Sequence, residues 1–142
     1  MAKIELTLTS TAVEGDYGIV DIYYNGIQVE SSLQLSANPL VIVHDVVPDN
    51  GYCTVRVDLL NDKANDVNQN GSFNDPEDET MDVRITLARY ADDGVTFVTM
   101  VPHGVITETD PQGNPVYYPA TDYLSVWGKE YSRTFPTSRY IP

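Results

Sequence analysis

The chain has a single cysteine, few basic residues and no long apolar run. Its 142 residues include 8 Lys+Arg against 21 Asp+Glu, for a formal net charge of -13 at pH 7. Cys53 has no partner for an internal disulfide and cannot form a multi-thiolate metal site. Because of the negative net charge, nucleic acid and anionic membranes are not expected partners, since their phosphates would be repelled. The charge favours cations, basic protein surfaces or neutral ligands such as sugars.

Targeting signals are also missing from the sequence. The N-terminal stretch MAKIELTLTS lacks the apolar core of a secretion signal. No run approaches the roughly 20 apolar residues that a membrane-spanning helix needs. We therefore expect no export signal, and a location on the virion surface if the protein is viral or in the cytoplasm otherwise. A viral particle leaves its host by lysis and requires no such signal.

Hydrophobic residues alternate with period two along nearly the whole chain, and no segment sustains a helical period. In Lys3–Ser10 the alternation puts Ile4, Leu6 and Leu8 on one face. Asn25-Gly26 between two such stretches is a strong hairpin signal. The predicted strands are 3–10, 17–24, 27–35, 40–47, 52–60, a strand from 83, 95–101, 105–109, 116–118, 123–127 and 130–135.

Short strands with turns at this spacing predict an all-β fold, a single-domain antiparallel β-sandwich of jelly-roll or Ig-like type with a long acidic loop. The predicted sandwich covers residues 1–128. Residues 129–142 form a tail that is aromatic and basic. Its Arg133, Phe135, Arg139 and Tyr140 are candidates for binding a partner subunit. The alternative is a terminal strand packed on its own domain, with a frayed end.

The most unusual stretch is residues 58–82, called here the acidic segment. It contains eight of the 21 acidic residues, at positions 58, 62, 66, 75, 77, 78, 79 and 82, and one base, Lys63. Carboxylates this close together repel one another unless a cation neutralises them or the segment stays fully solvated. Hard oxygen ligands favour calcium. The alternative is a solvated acidic loop with no metal.

Within this segment the residues from Asp66 to Glu77 match the calcium-loop pattern D-x-[DN]-x-[DN]-G-x5-E. In that pattern alternate oxygen side chains converge on the ion, Gly71 permits the sharp turn and Glu77 closes the shell. The flanking strands and Pro76 argue against an EF-hand. The candidate ligands from this pattern and its neighbours are Asp66, Asn68, Asn70, Ser72, Asp75, Glu77 and Asp78.

The run VRVDLLNDKAND…DETMDVRITLARYADDG resembles the calcium-dependent xylan-binding carbohydrate-binding modules, and GIVDIYYNGIQVESSLQL is similar to their hairpin. The resemblance covers roughly residues 4–94. It implies a small β-sandwich whose loop calcium coordinates vicinal sugar hydroxyls. Asn61 and Asp62 match the family's Asn-Asp signature and become further candidate metal ligands, while Asp78, Glu79 or Asp82 would supply its downstream acid. The family's Arg-Asn-Leu after that acid is absent, and the loop is longer.

Aromatic residues near predicted turns offer faces for stacking on sugar rings. Tyr117, Tyr118 and Trp127 are the candidates for ligand binding. The alternative is that they fill the core and rim of a sandwich. His44 and His103 lie in no recognisable nucleophile motif, so no catalytic residue is predicted and the protein is expected not to be an enzyme.

The sequence therefore predicts a non-catalytic β-sandwich module that resembles calcium-dependent carbohydrate-binding modules. It would be displayed as a surface or decoration subunit of a larger particle such as a phage virion. The alternative is a purely structural decoration (cement) protein of a capsid or tail with no glycan binding. Expected partners are other subunits of an assembly, with homo-oligomers favoured, and polysaccharide.

Overall fold

The computed structural model describes residues 1–72 and 75–100 in full, and beyond them the backbone of four strands. No helix occurs among these described residues, and none could therefore cross a membrane. The strands are β1 Lys3–Ser10, β2 Ile19–Tyr24, β3 Ile27–Gln34, β4 Leu40–Asp45, β5 Tyr52–Leu59, β6 Ala64–Asn65, β7 Glu79–Thr80, β8 Val83–Ala91, β9 Val98–Thr99, β10 Ile106–Thr109, β11 Pro115–Tyr117, β12 Leu124–Val126 and β13 Glu130–Pro136.

Two sheets contain the long strands. One has the order β12-β8-β1-β4, with β9 also pairing with β8. The other has the order β13-β5-β2-β3. Two short ladders, β6-β7 and β10-β11, complete the described strands, and every recorded pairing is antiparallel.

The two large sheets share one hydrophobic core. Ile4 and Leu6 of β1 and Val55 and Val57 of β5 have no exposed surface, and they belong to the same buried cluster. Their period-two spacing is the reason that each strand contributes one face to this core. The all-β antiparallel prediction is confirmed, and the arrangement is consistent with a β-sandwich. The choice between a jelly-roll and an Ig-like topology stays a prediction.

The predicted hairpin turn at Asn25-Gly26 is confirmed. Both residues have positive φ, 50° and 81°, and they connect β2 to β3. Two successive positive φ values define the type I′ turn whose twist matches the flanking strands. Asn50 and Gly51 repeat this geometry before β5, with φ of 51° and 80°.

Of the strand predicted over Val95–Val101, the structure describes residues 95–100, and within them the strand is Val98–Thr99. The Asp93 carboxylate accepts hydrogen bonds from the backbone N–H groups of Val95 and Thr96, at 2.8 and 2.7 Å. The same hydrogen bonds hold the pKa of Asp93 below its ordinary value. An aspartate that bonds its own backbone in this way favours a turn over strand pairing.

Candidate metal centre

The acidic segment leaves one sheet at the end of β5 and returns to the other at the start of β8. At its base, β6 pairs with β7, with Ala64 opposite Thr80 and Asn65 opposite Glu79. Next to this ladder the Met81 N–H donates to the Lys63 carbonyl at 3.1 Å. Met81 has no exposed surface, so its side chain anchors the returning chain in the core.

Thr11 provides a second brace for the same base. Its hydroxyl donates to the Thr80 carbonyl at 2.7 Å and accepts from the Asp82 N–H at 2.8 Å. Its backbone N–H donates to the Asp82 carbonyl at 3.0 Å. The two ends of the acidic segment are therefore held together and tied to the end of β1, which fixes where the intervening loop begins and ends.

Asp66 begins the loop and its side chain organises the first turn. The Gly71 N–H donates to Asp66 Oδ2 at 2.7 Å, and the Gln69 N–H donates to the Asp66 carbonyl at 3.1 Å. Gly71 has a φ of 79°, which favours glycine. The sharp turn predicted at this glycine is therefore present.

Asp75 and Asp78 approach from the other side of the loop. Asp78 accepts from the Val67 N–H at 3.0 Å with Oδ1 and from the Asp75 N–H at 3.2 Å with Oδ2. The Asp78 N–H donates to the Asp75 carbonyl at 3.1 Å. The bond to Val67 connects the returning arm directly to the residue after Asp66.

As a result, three carboxylates converge. One oxygen each from Asp66, Asp75 and Asp78 lies within 4.8 Å of the others. Asp66 Oδ1 is buried and has no hydrogen-bond partner among the described residues. A buried carboxylate oxygen without a partner is costly, since it has lost its water without replacing it.

No basic side chain among the described residues neutralises this cluster. None of the three carboxylates takes part in an ion pair within the described part of the chain. Lys63, the one base of the acidic segment, lies 2.6 Å from Asp16 and 4.0 Å from Glu14. The hydrogen bond to Asp16 is the main reason that the pKa of Lys63 is raised. Within the part of the chain that the structure describes, three carboxylates thus face each other without a local countercharge.

Other acids of the segment have different partners, which separates them from the cluster. Arg56 Nη2 lies 2.9 Å from Asp58, and Arg84 Nε lies 2.6 Å from Asp82. Glu79 accepts from the Asn65 amide at 3.4 Å and from the Glu14 N–H at 3.3 Å. These acids stabilise the strands and the base of the segment.

Among the remaining pattern residues, Asn70 contacts the cluster through Asp75. The Asn70 amide donates to Asp75 Oδ2, and its Oδ1 accepts from the Ser72 N–H at 2.9 Å. Asn68 donates to Glu77 Oε2 at 3.3 Å, and Glu77 is exposed and outside the three-carboxylate group. Asn68, Asn70, Ser72 and Glu77 remain predicted ligands. An amide or hydroxyl beside such a cluster supplies the additional neutral oxygens that a calcium shell uses.

Asn61 is placed differently from the other candidates. Its Oδ1 accepts from the Ile19 N–H at 2.8 Å, and its Nδ2 donates to the Tyr17 carbonyl at 3.0 Å. The side chain thus bonds the backbone on both sides of Gly18, next to the start of β2. Asp62 is exposed. The role of both residues as metal ligands stays a prediction.

The other sequence candidates lie largely outside the described residues. This is the case for Tyr118, Trp127, Arg139 and Tyr140, and His103 is also outside. Tyr117, Arg133 and Phe135 lie on β11 and β13, where the backbone alone is described. The first part of the predicted tail, Glu130–Pro136, pairs with β5. Its predicted contact with a partner stays a prediction.

His44 of β4 is partly buried next to Glu30 of β3 and Tyr24 of β2. Its Nε2 is 2.8 Å from Glu30 Oε1, and its Nδ1 is 3.1 Å from the Tyr24 hydroxyl. Burial is the main reason that the pKa of Tyr24 is raised. His44 and Glu30 thus connect β4 to β3, which gives this histidine a structural role.

Comparisons of this chain with protein-family models, curated proteins and solved structures found no match. The resemblance to calcium-dependent xylan-binding modules therefore stays a prediction. The class of protein is defined by the structure as an acidic, all-β protein with a cluster of three carboxylates in the loop between β6 and β7.

Proposed function

We propose that this protein is a non-catalytic, calcium-binding β-sandwich module, and that the cation binds at Asp66, Asp75 and Asp78. The observation that carries the proposal is the buried Asp66 Oδ1, which has no partner among the described residues although two other carboxylates lie beside it. A bound cation would give Asp66 Oδ1 a partner and would neutralise part of the negative charge of the three carboxylates.

The donor set fits calcium. All of the candidate donors are oxygens, which excludes a preference for softer metals. Two ligands on opposite sides of one calcium ion are separated by roughly 4.6–5.2 Å, twice the calcium–oxygen distance. The three carboxylate oxygens lie within 4.8 Å of one another, which is compatible with a shared ion. Magnesium demands a shorter and more regular shell and keeps more of its water.

The local backbone explains how the carboxylates are oriented. Gly71 N–H holds Asp66, and the N–H groups of Val67 and Asp75 hold Asp78. These neutral donors fix the carboxylates without neutralising them. When bound, calcium would link the two arms of the loop, with Asp66 on one arm and Asp75 and Asp78 on the other.

Isothermal titration calorimetry with calcium chloride tests the proposal directly. We expect one calcium ion per chain for the wild-type protein and no measurable heat of binding for Asp78→Ala. Asp49→Ala is the matched control, because Asp49 is an exposed carboxylate in the turn before β5 and belongs to no cluster. It should retain the wild-type stoichiometry. Absence of binding by the wild-type protein at millimolar calcium would contradict the proposal.

For the wider role, we propose a module displayed on a larger assembly, with polysaccharide as one ligand. The support is the resemblance over residues 4–94 together with the exposed position of the acidic segment beside the strands. The alternative is a purely structural decoration subunit of a capsid or tail. The jelly-roll or Ig-like topology belongs to the same proposal.

A glycan array probed with and without chelator separates the two roles. We expect binding to xylan-type polysaccharides in calcium and loss of that signal in chelator, because sugar hydroxyls would complete the calcium shell. A signal that is unchanged by chelator would exclude coordination through the ion. No signal in either condition would favour the structural role. Calorimetry on the same protein preparation, showing that it binds calcium, is the control for both array conditions.

A further inference from the structure

The outer edge of β4 is an apolar strand edge, and among the described strands it pairs on one side alone, with β1. Val41 and Val43 are 56% and 47% exposed, and Val47, just after the strand, is 69% exposed. An edge strand also presents a row of backbone N–H and C=O groups towards solvent, which pair readily with another strand. We call Leu40–Val47 the β4 edge.

Among the described residues, this edge has no bulge, which is one of the devices that block such pairing. Its six residues Leu40–Asp45 pair in unbroken register with β1, so it contains no bulge. By contrast, β3 on the other sheet has two register shifts against β2, a positive φ of 52° at Ser32, and an Asp21 carboxylate that accepts from the Ser32 N–H. Bulges of this kind twist an edge away from a partner. The β3 edge is therefore protected by its bulges, whereas the described β4 edge has none.

The charge distribution favours an uncharged occupant. On a chain with a net charge of -13, the stretch Leu40–His44 contains no carboxylate, and Asp45 lies 2.6 Å from Lys3 Nζ. A basic partner would be attracted to the acidic segment and would gain nothing electrostatically at this neutral strip. The matching surface is another uncharged, apolar strand edge. The chain itself supplies one.

We propose that the β4 edge binds the β4 edge of a second copy, so that two copies share one continuous antiparallel sheet. With Ile42 on the two-fold axis, Val41 lies opposite Val43 of the partner subunit, and the reverse contact follows by symmetry. The four valines then form one apolar patch on the outer face. No carboxylate on Leu40–His44 opposes the approach.

An apolar recess of about 120 Å³ extends this interface at one end of β4. Met1, Ile27, Val29 and Val47 contribute to its lining. In the proposed register, Pro39 of the partner subunit lies beside Asp45, at the mouth of this recess. The contact would bury Ile27 and Val47, which are 67% and 69% exposed in the single chain.

Sedimentation equilibrium of the full chain over a range of concentrations tests the proposal. Because the contact is small compared with the about 800 Å² per partner of a stable interface, we expect a weak dimer of twice the 15.8 kDa chain mass. High salt should strengthen it, since salt screens the repulsion between two acidic chains over a Debye length of about 8 Å. A monomer at every concentration would overturn the proposal and point to a strand of another protein.

The variant Val41→Lys with Val43→Lys should raise the dimer dissociation constant at least about tenfold, because the introduced side chains would lie directly opposite each other across the interface as like charges and the cross-strand valine contacts would be lost. Thr86→Lys is the matched control, an exposed position on β8 of the same sheet with β1 between it and the edge. It should leave the dimer unchanged. Wild-type dimerisation in the double variant would overturn the proposal.

Cysteine cross-linking tests the register. Val41→Cys mixed with Val43→Cys should form an intermolecular disulfide under mild oxidation, and neither variant alone should do so, because the Cα separation of paired residues suits a disulfide. Cys53 does not compete, since it is buried and burial raises its pKa to about 12. A dimer that forms no mixed cross-link would exclude this register and overturn the proposal.

Discussion

Asp66→Asn is expected to have opposite effects on thermal stability in chelator and in calcium. In chelator, the variant should melt slightly above the wild-type protein. In saturating calcium, it should melt well below it. The crossing of the two responses is a sharper result than a simple loss of stability, because a damaged fold would lower both melting temperatures.

The first effect follows from the geometry around Asp66. One of its oxygens accepts from the Gly71 N–H, and the other is buried beside Asp75 and Asp78 without a partner among the described residues. Asparagine keeps an oxygen for Gly71 and removes one of three mutually repelling charges. Its NH2 group can donate to a neighbouring carboxylate. We expect a gain of about 1 kcal/mol in the free energy of unfolding, the typical net value of one hydrogen bond.

The second effect follows from linkage. A ligand present at one hundred times its dissociation constant stabilises the folded state by about 2.7 kcal/mol. For a chain of this size that corresponds to an increase in melting temperature of about 10 °C. The Asp66 variant loses one charged ligand, so we expect most of this increase to disappear.

Differential scanning calorimetry in calcium and in chelator measures both effects. Asp49→Asn is the matched control, since it makes the same change of charge at an exposed site outside the cluster. It should follow the wild-type response to calcium. An equal calcium response in the Asp66 variant and the wild-type protein would show that Asp66 is not a ligand.

Strands were well predicted from the sequence because their signal is local. The alternation over Lys3–Ser10 and around Tyr52–Leu59 predicts which side chains face the core. Asn25-Gly26 predicts a turn because both residue types readily adopt the positive φ that the turn requires. The β6-β7 ladder was not predicted. Its strands have two residues each, too few for any periodic pattern.

The carboxylate cluster could be predicted in part. The spacing of Asp66 and Gly71 indicates the first turn, since the two residues interact within five positions. The partners on the returning arm depend on how the chain folds back onto Val67, which the spacing does not specify. The pattern therefore favoured Glu77 as the closing ligand, whereas the structure groups Asp75 and Asp78 with Asp66.

Asn61→Ala is expected to destabilise the protein substantially and equally with and without calcium. The Asn61 amide replaces a segment of strand pairing, since it accepts from the Ile19 N–H and donates to the Tyr17 carbonyl. Alanine would leave both backbone groups without this partner in a half-buried place. Each unpaired buried group costs about 1–3 kcal/mol, so we expect a total loss of about 2–4 kcal/mol.

The surroundings of Asn61 leave little room for relaxation. Gly18, between the two bonded residues, is so tightly enclosed that an added Cβ would lie 2.5 Å from Val83 Cγ2. The Gly18 N–H also donates to Ser10 Oγ at 2.9 Å. The backbone at the start of β2 therefore cannot move easily towards a new partner, and water would have to replace the amide.

Urea unfolding in calcium and in chelator distinguishes a structural amide from a metal ligand. Asn68→Ala is the contrasting variant, because Asn68 is an exposed amide among the predicted calcium ligands, so its loss should lower the calcium-dependent increment with little effect in chelator. We expect Asn61→Ala to lower the free energy of unfolding in both conditions while the calcium-dependent increment stays as in the wild-type protein. If that increment disappeared, Asn61 would contribute to the ion's coordination, as its match to the Asn-Asp signature implies. Preservation of the increment would assign Asn61 to holding the start of the acidic segment against β2, which leaves Asp66, Asp75 and Asp78 to bind the ion.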